Sequence, residues 1–196
     1  MAHLQRNNMH KIKIITSTTR EGRKGIAVAN WITGVAKQNN NYDVELLDLA
    51  EINLPFMDEA AHPRLQQYQH EHTRKWSETI GSADAFIIVL AEYNFGFPAP
   101  IKNAIDYLYN EWMNKPVAFV SYGGISGGLR STQMLKQVVT AVHMMPVVDQ
   151  VNIPFFAKLI DENGTFVPNE TLTKSAEVML SELERWSEAL KVLRVK

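Results

Sequence analysis

Apolar positions along this chain follow two rhythms, short continuous runs and longer stripes at helical spacing, and the two alternate five times. Ile12, Ile14 and Ile15 lie in a first run from Lys11 to Thr16. Val28, Ala29, Ile32, Val35 and Ala36 then form a helical stripe that the polar Asn39-Asn40-Asn41 run stops. Val44 to Leu49 reads as a second strand, Leu54-Pro55-Phe56-Met57 as an irregular connection, and Arg64 to Ile80 as a charged helix. The third run, Ala85 to Leu90, is apolar throughout, as expected of a strand covered on both faces. After Pro98 and Pro100, whose missing N–H groups cost nothing in a first helical turn, Ile101, Ala104, Ile105, Leu108 and Trp112 share one helix face. Val117 to Tyr122 supplies a fourth strand, Leu129 to His143 a fourth helix, and Val147 to Ile153 a short fifth strand. Leu172, Ala176, Met179, Leu180, Leu183, Trp186, Leu190 and Leu193 mark a long C-terminal helix. This alternation predicts an α/β fold, a doubly wound sandwich around a five-stranded parallel sheet.

Composition narrows the classes. A chain of 196 residues with 45% hydrophobic content can bury one substantial core, so we expect a polar leader over 1–10 and a single domain over 11–196. A net charge of -1 argues against nucleic acid and anionic membranes as partners. Without cysteine there are no disulfides, thiolate metal sites or cysteine nucleophiles, and redox chemistry must use a cofactor. The polar N-terminus and the absence of a membrane-length apolar run predict a cytoplasmic protein. No metal site is expected: His70 and His72 are two apart on a predicted helix and face different directions, and His3, His10, His62 and His143 have no carboxylate constellation. Asn163-Gly164-Thr165 and Asn169-Glu170-Thr171 read as a turn and a helix cap rather than as sugar acceptors.

Three loops follow presumptive strands, and each has its own chemistry. Ser17-Thr18-Thr19-Arg20-Glu21-Gly22-Arg23-Lys24-Gly25 joins hydroxyls, cations and glycines just before a helix. Such a loop holds a phosphate monoester through helix N–H groups and hydroxyls while Arg20, with Arg23, neutralises charge. It lacks the endings of a Walker loop or a dinucleotide fingerprint. The second loop, Glu92 to Phe97, offers Tyr93, Phe95 and Phe97 for stacking, Asn94 for hydrogen bonding and Gly96 for close approach. The third, Ser121 to Gly128, carries four glycines that bring backbone N–H groups near a ligand edge. Taken singly, each loop reads equally well as an ordinary connection. Together they describe a site for a phosphorylated, planar, redox-active ligand such as FMN.

The segment Glu92-Tyr93-Asn94-Phe95-Gly96-Phe97-Pro98-Ala99-Pro100-Ile101-Lys102-Asn103-Ala104-Ile105-Asp106 resembles the Pro-Glu-Tyr-Asn signature of the NADPH-dependent FMN reductase family, within the flavodoxin-like fold. Ser121-Tyr122-Gly123-Gly124 and the Arg20 loop match the other two flavin-contacting segments of that family in order and separation. Ser17 stands where the family often has glycine, and Ala91 replaces the proline.

The resemblance implies that Thr18 and Arg20 hold the FMN phosphate with help from the helix start at Gly25 and Ile26, and Ser17 and Arg23 of the same loop are expected to join them at the cofactor. It implies that Glu92, Tyr93, Asn94 and Phe95 line the isoalloxazine and ribityl chain, and that Ser121, Tyr122, Gly123 and Gly124 meet the pyrimidine edge. The implied activity is two-electron reduction of a quinone or similar small acceptor by NADPH or NADH, by ping-pong hydride transfer through FMN, with no side-chain general base required. A homodimer is implied as well. Tyr107, Tyr109, Trp112 and Met113 after the second loop, and Met134, Leu135, Val138, Val139 and Met144 on the fourth helix, offer surfaces for it. An alternative is a flavin-binding redox sensor that docks a partner through exposed Trp112, Met113 or Phe97.

Overall fold

The computed structural model describes residues 9–194. Residues 1–8 of the expected leader lie outside the described residues, and its last residue, His10, already begins the first strand. The strands are β1 (His10–Thr16), β2 (Tyr42–Leu47), β3 (Ala85–Ala91), β4 (Pro116–Tyr122), β5 (Met145–Pro146) and β6 (Val151–Ile153). Their order is β2-β1-β3-β4, with β5 and β6 both pairing along the outer side of β4, and every pairing is parallel. The α-helices are α1 (Gly25–Ala36), α2 (Leu49–Ile52), α3 (Glu71–Gly81), α4 (Ala99–Asp106), α5 (Leu129–Ala141) and α6 (Glu170–Leu190).

Because side chains alternate along a strand, the sheet feeds two separate apolar layers. On one side Ile12, Ile14, Ile87 and Val120 pack with Val28 and Ile32 of α1 and Met179 and Leu183 of α6. On the other, Ile15, Phe86, Ile88 and Phe119 pack with Trp76 of α3, Ile101 and Ile105 of α4, and Leu135 of α5. Each fully buried large aliphatic side chain contributes roughly 1.5–3 kcal/mol. Every residue of β3 and β4 is buried, which accounts for the uninterrupted apolar sequence of β3 and for a β4 in which Ser121 breaks the run. The two sequons behave as expected: Thr165 N–H donates to the Asp161 carboxylate at 2.8 Å, and Asn169 caps α6 through Leu172 N–H at 2.9 Å.

Four expectations need correction. The fifth strand is divided, since the chain advances five positions from Pro146 to Val151 while β4 advances three from Val117 to Val120. The surplus bulges outward and leaves Val148 exposed. The helix expected from Arg64 begins only at Glu71. Gln66 is left-handed at φ 52, and the Glu59 carboxylate takes the N–H groups of Gln69 and His70 at 2.8 and 3.0 Å, away from any helical ladder. His70 therefore precedes α3 in extended conformation, and its ring stacks on His72 with centroids 5.2 Å apart and planes within 5°. The two imidazoles come together after all, yet no group of three or more potential ligand side chains among the described residues is arranged to hold a metal.

The fourth correction concerns Trp112, which is 1% exposed, donates to Ile105 O at 3.1 Å and meets Trp76 and Phe86 edge-on. It is core, not a docking residue. Tyr107, Leu135, Val139 and Met144 are buried in the same layer, so these expected pairing residues already pack within the subunit, whereas Met134 stays half exposed.

Between α2 and α3 the chain makes a long excursion held by polar contacts. Its chief anchor is Glu111, a buried carboxylate that accepts from Ser77 Oγ at 2.7 Å, Tyr68 hydroxyl at 2.9 Å, Gln66 Nε2 at 3.1 Å and Tyr109 N–H at 3.3 Å. Burial opposes its charge, but the hydrogen bonds from Ser77, Gln66 and Tyr68 outweigh burial and hold the carboxyl below the usual glutamate range. A depressed carboxyl contributes stability that is complete above the unfolded value, about 4.3, and is lost as pH falls through the lower folded value. Glu111→Gln should therefore lower unfolding free energy by about 2 kcal/mol at neutral pH in urea titrations. The gap from the parent should narrow below about pH 4; a constant gap across that range would remove the carboxylate from this role.

Candidate functional site

Strand order places the site. From β1 the chain crosses to β2 on one side, from β3 it crosses to β4 on the other, and the loops leaving these adjacent strands diverge around a crevice. Ser17 ties the two strand ends together: its N–H donates to Val89 O at 3.1 Å and its Oγ accepts from Ala91 N–H at 3.0 Å. It is fully buried, so its side chain supports the phosphate loop from beneath. Above it the first and second loops touch, with Arg20 Nε donating to the Tyr93 hydroxyl at 3.2 Å.

The first loop ends at the start of α1, which has neither a side-chain cap nor an acidic residue in its first turn. The N–H groups of Gly25 and Ile26 thus sit at a helix end whose partial positive charge favours an anion. Thr18 is buried, and the Tyr122 hydroxyl reaches the start of α1. That hydroxyl lies over Gly25 so closely that a Cβ there would come within 2.0 Å of it. Burial pushes the Tyr122 phenol up to about 12, so it stays protonated and able to donate at neutral pH. Arg20 is exposed beside this end. Arg23 behaves otherwise: its guanidinium pairs with the buried Asp48, which also accepts from Thr16 Oγ1 at 2.9 Å and Ala50 N–H at 3.1 Å. Its charge is thereby compensated within the protein, leaving Arg20 as the expected residue with charge to offer.

The second loop is a tight turn closed by reciprocal Tyr93 and Gly96 backbone hydrogen bonds of 2.9 Å. Its two central residues, Asn94 at φ 49 and Phe95 at φ 74, are both left-handed. Asparagine tolerates that region, whereas for phenylalanine it costs about 1–3 kcal/mol. Glu92 turns inward, its side chain only 7% exposed. It accepts from Arg130 Nε at 2.7 Å and from Arg130 N–H at 3.2 Å, capping the start of α5. Burial works against its charge, and the contacts from Arg130 and Ser126 overcome it, holding the carboxyl below the usual range.

The third loop is braced from below. Ser121 Oγ donates to Gly127 O at 2.8 Å and accepts from Asn152 Nδ2 at 2.7 Å, and the residue is wholly buried, so its hydroxyl is not turned to the crevice. Tyr122 reaches toward the first loop instead of the glycines. Gly123 N–H is directed to Ile153 O at 3.3 Å, whereas Gly124 N–H has no protein partner among the described residues. Of the segment expected at one ligand edge, Gly124 keeps a backbone donor to offer. Gly128, at φ 84, has no room for a side chain, since a Cβ would fall 2.8 Å from Tyr122 N.

Sequence reasoning overlooked Thr16, Asp48, Arg130 and Asn152. Asp48 precedes Leu49 as a helix cap would, and Arg130 lies in the first turn after the glycine loop; those were their available signals.

An uncapped helix start, an aromatic turn and a loop whose Gly124 amide has no partner among the described residues, gathered at the switch point of a parallel sheet, suit a phosphate with a planar ring attached. The residues therefore fit FMN, and the class they define is the flavodoxin-like flavoproteins. The chain belongs to the NADPH-dependent FMN reductase family, whose model matches residues 10–158. It is 37% identical over 155 residues to an NAD(P)H-dependent FMN reductase of a Nectria species, covering 76% of this chain and 77% of that one. An NADPH:quinone oxidoreductase of Arabidopsis thaliana is 32% identical over 114 residues, 53% of this chain and 56% of that one. In fold, a flavoenzyme NAD(P)H:(acceptor) oxidoreductase from Paracoccus denitrificans aligns with a TM-score of 0.68 at 20% identity, over 93% of this chain and 98% of that one.

Two substitutions probe the phosphate end. Arg20→Ala should weaken FMN binding by about tenfold to a hundredfold in fluorescence titration while leaving the melting temperature near that of the parent; unchanged affinity would place the phosphate elsewhere. Gly25→Ala should displace the packed Tyr122 ring, lowering stability by about 1–3 kcal/mol and weakening FMN binding together. A stable variant with full affinity would show that the close approach of Tyr122 has no role.

Proposed function

We propose that this chain is an FMN-dependent NAD(P)H oxidoreductase that reduces a quinone or similar planar acceptor by two electrons, working as a cytoplasmic homodimer. The observation that carries this reading is the open start of α1 beside Arg20, joined through Tyr93 to the aromatic turn at the switch point. FMN held there would supply the redox chemistry, two-electron transfer from NAD(P)H to the acceptor, with a solvent proton completing the hydroquinone. The protein holds the phosphate with Arg20, Thr18, Tyr122 and the α1 amides. Gly124 N–H offers a donor for negative charge that develops on a ligand ring. Tyr93 and Phe95 supply aromatic surface to exclude water.

Nicotinamide and acceptor are proposed to use the same open face in turn. The relatives named as FMN and quinone reductases support the substrate classes, and the half-exposed Met134 with Leu129 leaves apolar surface on α5 for a second subunit. The test is an absorbance spectrum of the purified protein during anaerobic NADPH titration, where a flavin band should bleach stoichiometrically. Steady-state rates with NADPH and a quinone should give parallel double-reciprocal lines. Intersecting lines would reject alternating occupancy, and a yellow protein that NADPH does not bleach would favour a redox sensor. Light scattering at micromolar concentration should give twice the mass of the chain.

A further inference from the structure

Phe95 combines two features that rarely coexist, a left-handed backbone at φ 74 and a ring 65% exposed to solvent. No apolar burial compensates the strain on such a ring. What holds it is Arg130, whose guanidinium lies 3.7 Å from the ring centroid. Arg130 is in turn fixed by the buried Glu92, which bonds its Nε, its Nη2 at 2.6 Å and its own backbone N–H. Met134 of the same helix lies against Gly96, where a Cβ would meet its Sδ at 3.8 Å. The turn after β3 is thus clamped to α5 at Phe95 and at Gly96, so the ring cannot swing with the loop.

We propose that Arg130 is a positioning residue that presents the free face of Phe95 as a preset stacking surface for the oxidising substrate, making planar aromatic acceptors the favoured class. The proposal rests on the reductase reading above and adds the residues that select among acceptors. The guanidinium lies over the ring, and the residue is still 65% exposed on the turn whose Tyr93 reaches Arg20. A ring already immobilised loses no rotamer freedom when a planar acceptor stacks on it, whereas a compact, non-planar acceptor gains nothing from that order.

The test compares a naphthoquinone with ferricyanide, which offers no ring to stack, in the FMN-loaded parent, Arg130→Gln, Phe95→Gly and the double variant. Phe95→Gly relieves the left-handed strain and so protects against a folding artefact. In Arg130→Gln KM for the naphthoquinone should rise about tenfold with kcat within about twofold, and in both single variants the naphthoquinone kcat/KM relative to that for ferricyanide should fall by a similar factor. The double variant should be no worse than the poorer single, because both act through one ring. Equal losses toward both acceptors, an unchanged naphthoquinone KM, or single effects that multiply would each overturn the proposal while the flavin spectrum stays intact. A parent that binds no flavin would instead overturn the reductase reading itself, and this proposal with it.

Discussion

The parallel pairing of β1 with β3 is the constraint on which the rest of the molecule depends. It sets Ile12 beside Ala85 and Thr16 beside Val89, and it is the place where strand order turns back on itself. A slip of one residue would send Ile12 and Ile14 to the layer that belongs to Ile15. It would also move the ends of both strands relative to each other, and with them the loops that meet through Arg20 and Tyr93. Ser17 locks this register with one donated and one accepted hydrogen bond, where a glycine would lack the hydroxyl that receives Ala91 N–H.

Around that junction, the loops are fastened by carboxylates more than by apolar packing. Asp48 gathers Thr16, Arg23 and the Ala50 amide of α2; Glu92 gathers Arg130 and the start of α5; Glu111 gathers the excursion before α3. A buried charge is costly unless its lone pairs are filled, and each of these three is surrounded by several donors. This gives loops with few large apolar residues one defined position. It also couples the aromatic turn to the third loop, since Glu92 and Ser121 reach α5 and its glycines from adjacent strands.

Much of this was legible from residue order. The apolar run of β3, the nearly apolar run of β4 and the stripes of α1 and α6 announced a covered parallel sheet, because burial on both faces leaves few polar positions. The three candidate loops stood out by composition as well, and the parallel pairing of β1, β3 and β4 brings them to one end of the sheet. What could not be read was direction. Arg20 and Arg23 look alike in sequence, and only the long-range contact with Asp48 separates them. Trp112 read both as part of an apolar helix face and as a docking residue, because an indole at the end of an amphipathic helix can face either way. The start of α3 was hidden since its competitor for the backbone, Glu59, lies about ten residues away. Ser121 was misjudged for a related reason, as a serine at a strand end serves bracing and binding equally well until its partners are known.

The broken fifth strand has a meaning beyond topology. An unbroken strand on the outer side of β4 would display a row of free amides and carbonyls, ready to recruit another chain and propagate a sheet. Here that border consists of a two-residue piece ending in Pro146, an outward bulge at Val148, and a three-residue piece. Neither fragment is long enough to template an intruder, and proline has no amide to offer. At this border, then, the interruption leaves little backbone for another chain to pair with, in contrast to the six-residue β2 at the opposite edge.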